Sequence, residues 1–145
     1  MIRKSTSNYK QAFIGLIDMT NPSFENNQPI PTVIVSRPGI MQHSLRVSLA
    51  ACPEIVVIAS SGDGLSALCQ VRQYQPGLLV IDSNLLEEEV VALLSAVKTE
   101  QPATRCLVFM QSRQQQSQIL AAGADAVALR NGSAQQLQTL LAQIT

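Results

Sequence analysis

The feature that most constrains the fold is Gly77-Leu-Leu-Val-Ile-Asp-Ser-Asn84, a short apolar run from Leu78 to Ile81 that ends in one carboxylate, Asp82. The run is too short for a helix of its own and follows Pro76-Gly77, so it reads as a strand. It does not alternate apolar with polar residues, which suits a central strand covered on both faces of a parallel sheet. Asp82 then falls at the carboxyl end of that strand, where open α/β sheets place their ligand and reaction sites. Any chemistry this chain performs is expected there.

The flanking segments repeat the same grammar. Thr32-Val-Ile-Val-Ser36 is a strand by its β-branched run. Pro38 is expected to open a helix, where its missing N–H costs nothing, with Ile40, Met41, Leu45 and Leu49 at helical spacing up to Cys52-Pro53. Ile55 to Ala59 is a second strand, and Ser60-Ser-Gly-Asp-Gly64 a turn. A helix follows from Leu65 to Gln75, carrying Leu68, Val71 and Arg72. After the Asp82 strand, Leu85 to about Thr99 is a helix with Val90, Leu93, Leu94 and Val97 inward, Glu87 to Glu89 near its start and Lys98 near its end. Cys106 to Met110 is the fourth strand. Arg113 to Ala122 is a glutamine-rich helix closed by Gly123. Ala126 to Leu129 is a short fifth strand, and Ser133 caps a last helix with Leu137, Leu140, Leu141 and Ile144 inward. Five strands alternating with five helices predict βαβ units, one parallel sheet and helices on both faces.

A chain of 145 residues suits one domain with a real core. Residues 1–30 differ from the rest: a polar start, an apolar patch Ala12-Phe-Ile-Gly-Leu-Ile17, then the breaker-rich Asn21 to Pro31. They read as an arm or linker whose patch docks on the domain or on a partner, with the domain at 31–145. Ten basic and ten acidic residues cancel, so no electrostatic footprint for nucleic acid is expected. Cys52, Cys69 and Cys106 are widely spaced, with no CxxC or Cys/His cluster for a metal. They read as reduced thiols of a cytoplasmic protein, two or three of them in the core. Arg3 and Lys4 precede no long apolar stretch, so no signal peptide is expected. No apolar run approaches the roughly 20 residues of a membrane span.

The order of elements, Asp82 at the end of the third strand, and Ala121-Ala-Gly-Ala-Asp-Ala-Val-Ala-Leu-Arg130 together resemble the receiver domain of bacterial response regulators, the CheY-like superfamily. Cys52-Pro-Glu-Ile-Val-Val-Ile-Ala-Ser-Ser-Gly-Asp-Gly64 is similar to the second strand and turn of receivers from LuxR-type regulators. The resemblance covers residues 31–145 and implies a flavodoxin-like, doubly wound sheet of strand order 2-1-3-4-5. It also implies phosphoryl transfer from a histidine kinase to Asp82. That chemistry uses Mg²⁺ held by an acidic pair after the first strand, a Thr or Ser after the fourth and a Lys after the fifth. Asp82 matches the acceptor, and Asn84 the position whose backbone carbonyl helps hold the metal.

The other positions depart from the pattern. Ser36 and Arg37 replace the acidic pair, Met110 the hydroxyl residue and Arg130 the lysine, and Ser83 to Glu89 lacks the usual proline and glycine. Mg²⁺ wants hard oxygen ligands, one or two of them carboxylates. Here only Asp82 and Asn84 remain, and Arg37 is expected to put a positive charge where the cation belongs. A guanidinium paired with Asp82, from Arg37 or from Arg130, would substitute for metal or lysine. Glu87 to Glu89 read as a helix-start charge pattern, with cation binding as the alternative. The expectation is a degenerate pseudo-receiver: a protein-interaction module of two-component-type signalling, not an enzyme and without a cofactor.

Two other readings stay open. One is a working phosphoacceptor with Mg²⁺ at Asp82. The other is a small flavodoxin-like ligand-binding protein or enzyme. Ser60 to Gly64 lacks the spacing of a phosphate loop and reads as a tight βα turn. His43, the only histidine, reads as a surface residue. The expected partner is another signalling protein, a kinase or regulator, with neither nucleic acid nor membrane bound directly. A homodimer through the fourth helix, fifth strand and fifth helix would use Gln114, Gln118, Arg130, Gln135 and Gln138. With the last helix ending at the last residues, any effect on transcription is expected to pass through a partner or a domain outside this chain.

Overall fold

The computed structural model describes residues 28–130 and 134–144. Most of the arm at 1–30, its apolar patch and the Ser133 cap lie outside the described residues. Five strands form one parallel sheet: β1 (Ile30–Val35), β2 (Ile55–Ser61), β3 (Leu78–Ile81), β4 (Arg105–Met110) and β5 (Ala126–Leu129). Their order is β2-β1-β3-β4-β5, the doubly wound arrangement expected, with β3 at the centre. The helices are α1 (Ile40–Ala50), α2 (Gly64–Tyr74), α3 (Glu87–Glu100), α4 (Gln116–Ala122) and α5 (Ala134–Ile144).

Apolar residues on both faces of each inner strand make the two-layer cover possible. Val33, Val35, Leu79, Ile81, Cys106, Val108 and Met110 pack with α2, α3 and α4. The intervening Ile34, Leu78, Val80, Leu107 and Phe109 pack with Leu45 and Leu49 of α1 and Leu137 and Leu141 of α5. All four β3 residues are fully buried, and each such side chain contributes about 1.5–3 kcal/mol over its exposed state.

Several boundaries differ from expectation, each for a local reason. Pro38 does not open α1: Pro38-Gly39 form a turn, and the helix begins only after Gly39, whose φ of +132° suits glycine. Ile40 consequently stands as the first residue of the helix, 85% exposed rather than on the inward stripe. Strand β2 runs on through Ser60 and Ser61, so the turn before α2 is shorter than predicted. Asp63 caps α2, its carboxylate accepting the Ser66 N–H at 2.8 Å. Helix α3 starts at Glu87, because Leu85 is buried in the core ahead of it. The segment from Arg113 begins as a 3₁₀ turn, Arg113–Gln115, before α4. Gly123 ends α4 with φ +127°, as its position predicted.

Candidate functional site

Parallel pairing aligns β1 and β3, with Val35 opposite Ile81, so the residues that follow each strand meet at the switch between strands wound in opposite directions. The backbone fixes this junction: the Asp82 N–H donates to the Val35 carbonyl (2.9 Å) and the Ser36 N–H to the Ser61 carbonyl (3.0 Å). Ser36 and Asp82 are thus presented side by side, 0% and 1% exposed.

A buried carboxylate needs partners, and Asp82 has them on both oxygens. Oδ2 accepts the Ser36 hydroxyl at 2.7 Å. Oδ1 accepts the Ser83 N–H at 2.7 Å and Arg130 Nε at 2.8 Å. Arg130 reaches the site because β5 ends beside β4, where its N–H donates to the Met110 carbonyl at 2.9 Å. Its guanidinium also donates from Nη2 to the Met41 carbonyl at 3.2 Å and lies 5.8 Å from the centre of the Phe109 ring. One side chain thereby ties β5 to β3 and α1. With the Ser36 proton committed to Asp82, Ser36 Oγ accepts Asn84 Nδ2 at 3.2 Å, and Asn84 Oδ1 accepts the Arg37 N–H at 3.1 Å.

Arg37 departs from expectation. Its side chain does not stand at Asp82 but turns to the rim, where Nη1 donates to the Gly62 carbonyl (3.0 Å) and Nη2 pairs with Glu89 Oε1. The cause is the supply of charge: Glu89 offers a carboxylate where both groups stay partly solvated, while Arg130 already fills the buried place. Glu89 in turn accepts the Gly64 N–H at the start of α2 through Oε2, at 2.7 Å. Of the acidic run, Glu89 therefore closes a three-way tie between the β1–α1 turn, α2 and α3.

Met110 lies at the end of β4, 6% exposed, in the core layer of α2, α3 and α4. It offers no hydroxyl. His43 is exposed, as are Gln114, Gln118 and Gln138, while the Gln135 side chain lies outside the described residues. Arg130, expected on that same face, turns inward instead. Sequence reasoning did not anticipate the Asn84 side chain or the Met41 carbonyl as parts of the site, and weighed Glu89 as a helix-start charge or a cation ligand, not as the partner of Arg37. The position of Glu89 in the first turn of α3 was the only hint of its role.

Ser36 and Arg37, which follow β1 beside Asp82, are not the carboxylates that Mg²⁺ favours. The described residues contain no cluster of three or more His, Cys, Asp or Glu side chains able to hold a metal ion. Nor is any helix among the described residues long and apolar enough to cross a membrane.

No protein-family model matches the chain, and no curated protein matches it. Solved structures do. A two-component response regulator of the LuxR family from Aurantimonas sp. SI85-9A1 superposes with a TM-score of 0.71 at 19% identity, over 81% of this chain and 86% of that one. The signal receiver domain of NarL from Mycobacterium tuberculosis gives 0.72 at 16% identity, over 80% and 95%. The response regulator domain of Thermotoga maritima CheB gives 0.66 at 17%, over 81% and 94%. With the strand order and the placement of Asp82 already described, these likenesses show that the chain has the receiver fold of two-component response regulators.

Proposed function

We propose that this chain is a pseudo-receiver: a receiver-fold, non-enzymatic protein-interaction module of two-component-type signalling in which Asp82 is a structural lock and not a phosphoacceptor. The observation that carries this reading is the full engagement of a buried carboxylate by Ser36, Ser83 and Arg130. An attacking carboxylate needs a free oxygen facing its donor in near-attack geometry. Here the Asp82 side chain is 0% exposed. The cation that would offset charge in a receiver's transition state is replaced by a fixed guanidinium.

The partner in this reading is another signalling protein, recognised through the surface of a fold that holds one state. The free thiols of Cys52, Cys69 and Cys106 suit a reducing compartment such as the cytoplasm. Burial pushes the Cys106 thiol up to about 12, which makes it inert.

The test is intact mass after incubation with acetyl phosphate and Mg²⁺, beside the Asp82→Asn variant and an EDTA-treated sample. The reading expects no gain where an ordinary receiver is labelled. A gain of one phosphoryl group, lost in Asp82→Asn and in EDTA, would establish the phosphoacceptor reading instead.

A further inference from the structure

Among the described residues, strand β2 is an edge strand with no strand partner on its outer side. At seven residues, Ile55–Ser61 is the longest strand of the sheet and carries no charge. Edges of this kind are usually shortened, charged or covered, because their free N–H and C=O groups are a template for another strand. The opposite edge, β5, has only four residues. On β2, Gln70 covers only the far end, its Nε2 donating to the Ser60 carbonyl at 3.4 Å.

The pairing with β1 is also interrupted. Thr32 faces Val57 and Val33 faces Ala59, which leaves Ile58 as the extra residue of a bulge. Ile58 is 37% exposed. It lines a groove of about 480 Å³ between β2 and α1, together with Val57, Gln42 and Arg46. Arg46 has no ion-pair partner among the described residues, and neither has Glu54, which is exposed just ahead of β2.

We propose that the β2 edge is a self-association surface on which a second copy of this chain adds its own β2, antiparallel about a two-fold axis near Ile58. A two-fold interface is built from one patch used twice, so it requires self-complementarity. The uncharged strand supplies this in its backbone and its Ile58 side chain. The charges supply it too, because antiparallel pairing carries the Glu54 end of one copy toward the far end of the other's strand, beside the helix that carries Arg46. The resulting sheet is continuous through ten strands. This surface is distinct from the glutamine-rich α4–β5–α5 face, and the proposal does not depend on what Asp82 does.

Sedimentation velocity of the full chain over a range of concentrations tests it, with Ile58→Lys, Arg46→Glu and the exchange Arg46→Glu/Glu54→Arg alongside. The expected result is a dimer that Ile58→Lys abolishes. Arg46→Glu should weaken it by about tenfold, and the exchange should restore it. Near-ultraviolet and far-ultraviolet spectra confirm that each variant is folded. A chain monomeric at every concentration, or a dimer indifferent to Ile58→Lys, would overturn the proposal, the second pointing to the α4–β5–α5 face.

Discussion

Two aspartates hold this sheet at opposite ends. Asp125, just ahead of β5, accepts Lys98 Nζ from α3 (2.6 Å) and the Cys106 N–H of β4 (2.8 Å) on Oδ2, with Arg105 at 3.5 Å from Oδ1. Asp82, just after β3, accepts a serine hydroxyl, a backbone N–H and the Arg130 guanidinium. The two are built alike in combining a carboxylate with a backbone donor and a cation from a distant segment, Asp125 having Arg105 as a second, more distant cation. Asp125 lies at the amino end of β5, away from the carboxyl ends where open α/β sheets place their sites, so its network serves packing and orientation. Asp82 sits at the carboxyl end of β3, where open α/β sheets place their sites, yet it has the same kinds of partner and is buried more deeply. The difference between the ends is one of degree: the carboxylate at the switch point is the more deeply buried of the two.

If Asp82 is a lock, breaking it must destabilise the fold. Arg130→Ala strands a buried carboxylate and should cost about 3 kcal/mol, read as a lowered urea midpoint at unchanged slope. A protein whose aspartate was kept for reactivity would instead gain stability on loss of the carboxylate itself, because functional carboxylates are commonly held at a cost in stability. A gain in stability on Asp82→Ala would therefore break the likeness between the two ends.

Asp125→Ala should cost less, about 2 kcal/mol, since its carboxylate is partly solvated and the Cys106 N–H loses its acceptor. Burial alone would raise this carboxyl, but Lys98, the Cys106 N–H and Arg105 outweigh it and hold it below its ordinary 3.8. A depressed folded value means that the contribution is fully present above pH 3.8 and is lost as pH falls through the lower folded value. The stability gap between wild type and Asp125→Ala should thus be constant at neutral pH and close only in strong acid.

Gly123→Ala probes the same end from the backbone. At φ +127° an added Cβ would meet Lys98 Cγ at 2.7 Å, and a loss of about 1–2 kcal/mol is expected from strain and displacement of the Asp125 partner. The smallest effect belongs to the rim. Arg37→Ala removes a pair whose guanidinium side is 38% exposed and should cost about 0.5 kcal/mol, less in high salt. A larger loss would mean that the tie through Glu89 to α2 matters more to the Asp82 end than its exposure suggests.

The architecture was legible because Pro76-Gly77, Cys52-Pro53 and Gly123 punctuate apolar runs of strand length, and because the inner strands are apolar on both faces. The central place of Asp82 followed from the same reading. Which arginine pairs with it did not. Arg37 is closer in sequence, but choosing between it and Arg130 requires knowing that β5 ends beside β4 and that Glu89 stands ready at the rim. Both are tertiary facts with no local signature. The exposure of Ile40 and the bulge at Ile58 escaped for a related reason: periodicity marks apolar residues without saying where a helix begins or a strand slips its register.

The most direct test of the lock is a Mg²⁺ titration of the full chain followed by amide chemical shifts at Ser36, Arg37, Ser83 and Asn84. The account predicts no saturable shift at these positions at millimolar Mg²⁺, since Arg130 and Ser36 already occupy the Asp82 oxygens. Saturable shifts confined to these four amides, absent in Asp82→Asn, would contradict it and show that the carboxylate is free to take a metal.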